Sequence, residues 1–143
     1  MDQDSVAARF ERARHVVVVT GVEVGQSSGL PDLRNPVTGE YPDGSTGPVT
    51  EDTLPRVWGL WDRFRRASLD VSPSAAHYAL AGWEQWVGSR WGDSSFTIIS
   101  LNVDGLHQQA GSRNVIELHG SVHEGRCLGA GHAVDLTEAL FSR

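Results

Sequence analysis

The polar residues best suited to bind a ligand or to exchange a proton lie at the ends of three short apolar runs of the chain. They are Thr20 and Gly21 at the end of the first run, Asn102 and Asp104 after the second, and His119 after the third. Amide and carboxylate groups hold polar ligands through hydrogen bonds, and an imidazole exchanges a proton near neutral pH. If the three runs are parallel strands, these groups meet at one edge of a sheet, where folds of this kind bind their ligands.

The three runs have the composition of buried strands. Residues 15–20, 96–101 and 115–118 are rich in Val and Ile and lack a regular apolar–polar alternation. This pattern predicts strands that are buried on both faces, as in a parallel sheet. Because helical patterns lie between the runs, we predict an α/β fold: a three-layer Rossmann-like core in which helices flank a short parallel sheet.

Helix-start signals and apolar spacing predict helical segments at residues 4–13, 50–68, 72–92 and 106–110, and one or two helical turns within 135–141. Residues 21–29 are a polar, glycine-rich stretch, and residues 35–49, rich in Gly and Pro, are predicted to form a loop. His77 lies on the third helix beside apolar residues, so we expect it to pack against the core or to cap the helix.

Length, charge and cysteine content restrict the class of protein. The 143 residues suit a single domain, and the net charge of −6 argues against binding to nucleic acid or to an anionic membrane surface. No apolar run reaches the ~18–20 residues of a membrane span, and the first residues lack the basic segment of a signal peptide. We therefore expect a cytoplasmic location. The single cysteine, Cys127, excludes an intramolecular disulfide within the chain.

Four segments, in order along the chain, resemble the signatures of the sirtuins, the Sir2-like NAD-dependent protein deacylases. They are the Thr-Gly and Ser-Gly-Leu-Pro-Asp-Leu-Arg motifs within 16–34, Pro-Ser-Ala-Ala-His-Tyr-Ala-Leu at 73–80, Asn-Val-Asp-Gly-Leu-His and Ala-Gly-Ser within 102–112, and Val-Ile-Glu-Leu-His-Gly-Ser at 115–121. The resemblance implies a sirtuin-like fold, NAD as cosubstrate and an acyl-lysine protein as substrate.

The resemblance also assigns catalytic roles. His119 is similar to the family's general base, Asp104 to the residue that contacts the nicotinamide carboxamide, and Asn102 to its neighbour on the ribose side. Taken from the residues alone, His119 also fits a histidine in a turn, and Asp104-Gly105 also fits a simple turn signal.

Cofactor-binding roles follow from the same resemblance. Thr20 and Gly21 are similar to the start of the pyrophosphate turn, and Asp32 and Arg34 to the loop that closes over the nicotinamide ribose and the phosphates. Asn102 and Asp104 belong to this cofactor-binding set as well. Without the resemblance, Asp32 and Arg34 fit an ordinary surface pair.

Two substitutions in the matched motifs weaken the case for NAD. Glu23 stands where the family has the glycine that lets the backbone approach the pyrophosphate, and its carboxylate repels a diphosphate. Leu101 stands where the family has Gln, which removes a polar contact at the ribose. NAD is thus a doubtful cofactor for this chain.

The family's zinc module is another departure. Its two Cys-x-x-Cys pairs are reduced to Cys127, so we predict no zinc; a partial metal site from Cys127, His123 and His132 is the alternative to a free thiol. Few residues follow His119, so we expect residues 1–143 to form one minimal domain, a truncated sirtuin-like fold without the small zinc-binding domain and the C-terminal part.

Two classes of function compete on these observations. In the first, the chain is a degenerate sirtuin-like protein with weak or absent NAD binding and deacylase activity that acts as a binding or regulatory module. The alternative is a minimal NAD-dependent protein lysine deacylase or ADP-ribosyl transferase that uses His119 as general base. A sheet that ends early leaves an unpaired edge strand, so a protein partner or a homodimer is also expected.

Overall fold

The computed structural model describes residues 3–33, 50–127 and 129–137 of the chain. In chain order, the elements are α1 (Gln3–Arg12), β1 (Val16–Thr20), α2 (Val22–Gln26), α3 (Leu54–Asp70), α4 (Ala75–Trp91), a 3-10 turn (Asp93–Ser95), β2 (Phe96–Ser100), α5 (Leu106–Gln109), β3 (Val115–Glu117), β4 (Glu124–Arg126) and β5 (Ala133–Asp135). Within these ranges, no helix is both long and apolar enough to cross a membrane. The loop predicted at 35–49 lies outside the described residues.

Three strands form a parallel sheet in the order β1–β2–β3. Val18 pairs with Ile98, which in turn pairs with Val115. The three strands run in the same direction, so their carboxyl ends, and the loops that follow them, lie at one edge of the sheet. The prediction of a parallel α/β sheet is confirmed.

One face of this sheet packs against α4 and carries the core. Val16, Phe96 and Ile98 from the strands join Val87 of α4 in the buried cluster, and Trp83 packs against it. Phe96 and Ile98 are completely buried. Burial of an aliphatic or aromatic side chain contributes about 1.5–3 kcal/mol, so this face supplies much of the stability of the sheet.

The opposite face of the sheet contradicts the prediction of burial on both faces. Val17 and Val19 of β1 are 61% and 62% exposed, and Ile116 of β3 is 51% exposed. Side chains alternate along a strand, so these three point away from the core that α4 covers. A run of β-branched residues shows that both faces are able to be buried. It does not show that both are covered.

The amino end of α4 differs from the predicted cap by two residues. Ser74, rather than Ser72, is the N-cap residue, and it forms a capping box with His77. The Ser74 backbone N–H donates to Nδ1 of His77 at 3.1 Å. Since His77 three positions on supplies this acceptor, the cap falls at Ser74. The prediction that His77 packs or caps is confirmed.

The short helix α2 and the strands β4 and β5 were not predicted. The glycine-rich stretch after β1 contains the short helix α2. Residues 133–135, where a helix was expected to begin, form β5, which pairs antiparallel with β4 through Gly125 and Val134. Arg65 of α3 fixes this hairpin, because its guanidinium donates to the Leu136 carbonyl at 2.9 Å. The expected helix at 135 is therefore wrong for its first residues, and its remainder lies outside the described ranges.

Candidate functional site

A cavity of about 520 Å³ opens at the carboxyl edge of the parallel sheet. The loops after β1, β2 and β3 all contribute to its lining, together with Trp61 and Phe64 of α3. Five of the residues predicted from the sequence line it: Gly21, Asp32, Asn102, Asp104 and His119. Arg34 lies outside the described residues. The structure thus brings the ends of three strands together around one space large enough for part of a dinucleotide.

Asn102 ties two of these loops to each other. Its Nδ2 donates to the backbone carbonyl of Gly21 at 3.0 Å, which joins the loop after β2 to the loop after β1. The backbone N–H of Asn102 donates to Ser100 Oγ at 3.2 Å at the end of β2. The Asn102 side chain therefore fixes the shape of the cavity at Gly21 as well as lining it.

Asp104 is buried and lies two residues before the short helix α5. Its Oδ1 accepts a hydrogen bond from the Leu106 backbone N–H at 3.0 Å. Gly105 between them has φ of +71°, a left-handed conformation that favours glycine. The Asp104-Gly105 pair is therefore both a turn and part of the cavity wall.

Gly25 is a site residue that sequence reasoning did not identify. A Cβ added at this position would lie 3.0 Å from Asp104 Oδ2 and 3.2 Å from Asn102 Nδ2. Any side chain on this turn of α2 would push against both groups. The four-residue spacing of Gly21, Gly25 and Gly29 was the available signal, but only the fold shows which loop Gly25 faces.

Thr20 lies behind the cavity rather than in its lining. It is buried, and its Oγ1 is 2.9 Å from Nε2 of His107. The rings of His107 and His77 have their centroids 4.7 Å apart. Burial lowers the pKa of His107 to about 4, with a further contribution from His77, while Asp104 opposes the shift. Burial also lowers the pKa of His77, so both imidazoles are neutral at pH 7.

His119 is exposed at the junction of two cavities. It lines the cavity of about 520 Å³ at the carboxyl edge of the sheet, here called the polar cavity because Asn102 and Asp104 line it. It also lines a second cavity, of about 330 Å³, between α3 and the β4–β5 hairpin. The second cavity is mainly apolar, with Val57, Trp58, Trp61, Val122 and Leu136 among its lining residues. A side chain in this position can contact a ligand whose polar part lies in one cavity and whose apolar part lies in the other.

The polar cavity is rich in acidic side chains. Glu23, Asp32 and Asp104 all line it. The Glu23 Oε2 atom lies 3.9 Å from the position of a Cβ on Gly21, at the start of α2. Nearby, at the end of β3, burial raises the pKa of Glu117, and the charge of Asp104 adds to the effect. Glu23 and Asp104 therefore place negative charge at this edge of the sheet.

The partial metal site considered for Cys127, His123 and His132 is not assembled. No group of three metal-ligating side chains occurs within residues 3–33, 50–127 and 129–137. Nε2 of His123 is instead 3.1 Å from the Asp104 carbonyl oxygen. Backbone N–H groups of Ala130 and Gly129 lower the pKa of the Cys127 thiol, which lies at the hairpin loop.

Comparisons of the sequence and of the fold with known proteins all match Sir2 proteins. The sequence profile of the Sir2 family matches residues 21–142. An NAD-dependent protein deacylase of Thermus thermophilus is 37% identical over 142 residues, covering 92% of this chain and 53% of that protein. A Sir2 homologue in complex with NAD superposes with a TM-score of 0.80 at 27% identity, covering 97% of this chain and 54% of that one. A complex of Sir2, a p53 peptide and NAD+ superposes with a TM-score of 0.68 at 28% identity, covering 95% and 53%.

The chain spans about half the length of the relatives it matches. The shared half includes the parallel sheet and each loop that lines the polar cavity, so the predicted sirtuin-like, Rossmann-like fold is confirmed. The family profile begins at Gly21 and extends beyond His119. It therefore includes the loop after β1, Asn102 and Asp104 from the loop after β2, and His119. From this match and the shared fold together, the chain belongs to the Sir2 family.

Proposed function

We propose that this chain is a sirtuin-like binding or regulatory module that by itself binds NAD weakly or not at all. The observation that carries the proposal is the position of Glu23. Its carboxylate lines the polar cavity beside Gly21, where the family resemblance puts the pyrophosphate turn. Asn102 and Asp104 fit the nicotinamide side of the dinucleotide, but Glu23 does not fit its diphosphate.

The electrostatic effect is large enough to decide affinity. A carboxylate about 4 Å from a phosphate charge opposes it by about 1 kcal/mol in water and about 4 kcal/mol at the effective dielectric constant of a protein surface. That range corresponds to roughly 5- to 1,000-fold weaker binding. Glu23 is exposed, so solvent screening places its effect towards the lower end.

Calorimetric titration with NAD tests this proposal. We expect no binding at sub-millimolar NAD for the unmodified chain and a measurable gain, about fivefold or more, for Glu23→Gln. Nicotinamide riboside, which has no phosphate, is the matched control ligand, and its affinity should be the same for both proteins. A sub-millimolar dissociation constant for NAD with the unmodified chain would contradict the proposal.

A second candidate function rests on His119. We keep the alternative of a minimal NAD-dependent lysine deacylase or ADP-ribosyl transferase because His119 borders both the polar and the apolar cavity. In such a reaction His119 would accept a proton from a ligand hydroxyl within hydrogen-bond reach. Release of nicotinamide from NAD and an acetyl-lysine peptide measures the activity. Turnover by the unmodified chain that is lost in His119→Ala would favour this alternative, and equal turnover in both would remove His119 from the mechanism.

We further propose that the chain is a single minimal domain that needs no structural zinc. The presence of one cysteine in the whole sequence supports this. Metal analysis of protein purified without chelators tests it, and one equivalent of bound zinc would overturn it.

A further inference from the structure

Two exposed tryptophans at the end of α4 are each covered by an arginine. The Cζ atom of Arg14 lies 5.5 Å from the ring centroid of Trp91, and that of Arg90 lies 4.9 Å from the ring centroid of Trp86. Trp86 and Trp91 are 43% and 42% exposed. Because Arg90 and Trp91 are consecutive residues, the two pairs form one surface, here called the arginine–tryptophan patch. Arg14 lies just before β1 and α4 ends just before β2, so the patch lies at the amino edge of the sheet, opposite the polar cavity.

The two arginines of the patch keep their hydrogen-bond donors free. In the part of the chain that the structure describes, Arg65 and Arg66 donate to the carboxylate of Asp62, whereas Arg14 and Arg90 form no ion pair and no side-chain hydrogen bond. Stacking on an indole uses the face of a guanidinium group and leaves the N–H groups of its edge available. The patch therefore presents two oriented cationic groups, each with unused donors.

The charge around the patch is opposite in sign to that of the whole chain. Residues 8–16 and 86–93 contain four arginines and two acidic residues, which gives a formal net charge of +2, whereas the chain carries −6. The contact between Phe10 and Trp83, with ring centroids 4.8 Å apart, holds α1 beside α4 and brings the arginines of its last turn to this end of the sheet. The four arginines are Arg9, Arg12, Arg14 and Arg90. Since charges are screened over ~8 Å at physiological ionic strength, a short ligand at the patch experiences mainly this local positive charge.

Carboxylates of a short protein segment fit this arrangement. The planar guanidinium group offers two parallel N–H donors to a carboxylate, and a guanidinium already held by stacking loses less freedom when it binds. Tryptophan and arginine are also the residue types that supply most of the binding energy at protein interfaces. A nucleic acid or an anionic membrane extends far beyond the patch and would meet the net negative charge of the rest of the chain.

We propose that the arginine–tryptophan patch binds an acidic peptide segment of a partner protein, with one carboxylate on Arg14 and a second on Arg90. Trp91 and Trp86 hold the two guanidinium groups in place and surround the ion pairs with apolar area. Because the patch lies at the opposite edge of the sheet from the polar cavity, this binding neither requires NAD nor competes with it.

Fluorescence anisotropy with synthetic peptides tests the proposal. The probe is a fluorescein-labelled peptide of alternating glutamate and leucine residues, and the same peptide with glutamine in place of glutamate is the matched control ligand. We expect the acidic peptide to bind about tenfold or more tightly than the control, with an affinity that falls as salt is added. Equal binding of the two peptides, or no binding of the acidic one, would overturn the proposal. Tighter binding of a labelled oligothymidylate than of the acidic peptide would also overturn it, because the occupant would then be a nucleic acid.

A matched pair of variants locates the surface. Arg90→Ala and Arg63→Ala remove the same side chain from exposed positions of α4 and α3. We expect Arg90→Ala to weaken binding of the acidic peptide about tenfold and Arg63→Ala, outside the patch, by less than about twofold. Both side chains are exposed, so both variants should fold, which circular dichroism verifies. Equal affinities of these two variants would overturn the proposal.

A third variant separates the stacked geometry from charge alone. Trp86→Leu keeps the charge of Arg90 and removes the ring on which its guanidinium stacks. We expect this variant to bind the acidic peptide about threefold more weakly than the unmodified chain. Unchanged affinity would overturn the role given to the tryptophans. Self-association of the chain alone that Arg90→Ala abolishes, measured by sedimentation, would show that a second copy occupies the patch and would overturn the proposal.

Discussion

The two faces of one sheet have nearly the same composition and opposite surroundings. Val16, Phe96 and Ile98 point towards α4 and are buried, whereas Val17 and Val19 point the other way and are largely exposed. Neighbouring residues of the same strand thus differ only in what lies against them. A run of β-branched residues therefore shows only that a strand can be buried on both faces. Burial stabilises the sheet only on the face that packs against other side chains, here those of α4.

Matched truncations on the two faces should give the largest difference. Ile98 is completely buried and Ile116 is half exposed. We expect Ile98→Ala to lower the free energy of unfolding by about 2–5 kcal/mol, because it removes packed atoms and leaves a cavity. Ile116→Ala should cost less than about 0.5 kcal/mol. Urea unfolding of the isolated chain measures both. Similar losses would mean that the second face is already covered in solution.

Acid should destabilise the protein because His107, a buried histidine of α5, binds a proton more readily in the unfolded chain than in the fold. His107 has a folded pKa of about 4, below its usual value of 6.5, so the unfolded chain binds more protons between those two values. The contribution of His107 to stability is therefore complete above pH 6.5 and is lost as the pH falls towards 4, by about 3 kcal/mol. Glu117, whose pKa is raised by burial, acts in the opposite direction.

The variant His107→Gln isolates this effect. Its stability should depend less steeply on pH between 6.5 and 4 than that of the unmodified chain, as measured by urea unfolding at several pH values. His132→Gln, at an exposed histidine in the hairpin loop, is the control and should keep the original slope. An unchanged slope in His107→Gln would show that its ring is not held neutral in the fold.

Gly25 and Gly21 allow a similar comparison within the cavity. Gly25→Ala places a Cβ 3.0 Å from Asp104 Oδ2, whereas Gly21→Ala meets nothing closer than 3.9 Å. We expect Gly25→Ala to cost about 1–3 kcal/mol of stability, as overpacking does, and Gly21→Ala to cost much less. Thermal unfolding of both variants measures the difference. Equal effects would indicate that the loop carrying Asp104 moves freely.

The sequence was sufficient to place the strand ends together because parallel strands share a carboxyl edge. Asn102, Asp104 and His119 could therefore be assigned to one site from the sequence pattern alone. Thr20 was assigned to the same site, yet its side chain bonds to His107 behind the cavity, since consecutive residues of a strand point to opposite faces and only the packed structure shows which way each one turns.

Other features depended on contacts between distant parts of the chain. The close approach of Gly25 to Asp104 joins residues far apart in sequence, and no local pattern reports it. The β4–β5 hairpin is fixed by Arg65 of α3, which lies 71 positions from its acceptor at Leu136. At Asp135, where a helix was predicted to begin, the side chain accepts hydrogen bonds from Thr137 as an N-cap residue would, but the backbone pairs with β4 as the end of β5.

Matched polar substitutions at two adjacent positions of β1 give the most direct test of the difference between the two faces of the sheet. Val16→Thr and Val17→Thr make the same change at adjacent positions of β1, with side chains of nearly equal size. Val16 is 7% exposed, so its new hydroxyl loses water and should cost about 1–3 kcal/mol, whereas Val17, 61% exposed, keeps its hydroxyl hydrated and should change stability by less than about 0.5 kcal/mol. Urea unfolding of the two variants gives both values. Equal losses of stability at the two positions would show that the face carrying Val17 is covered in solution, because only a covered hydroxyl loses its water.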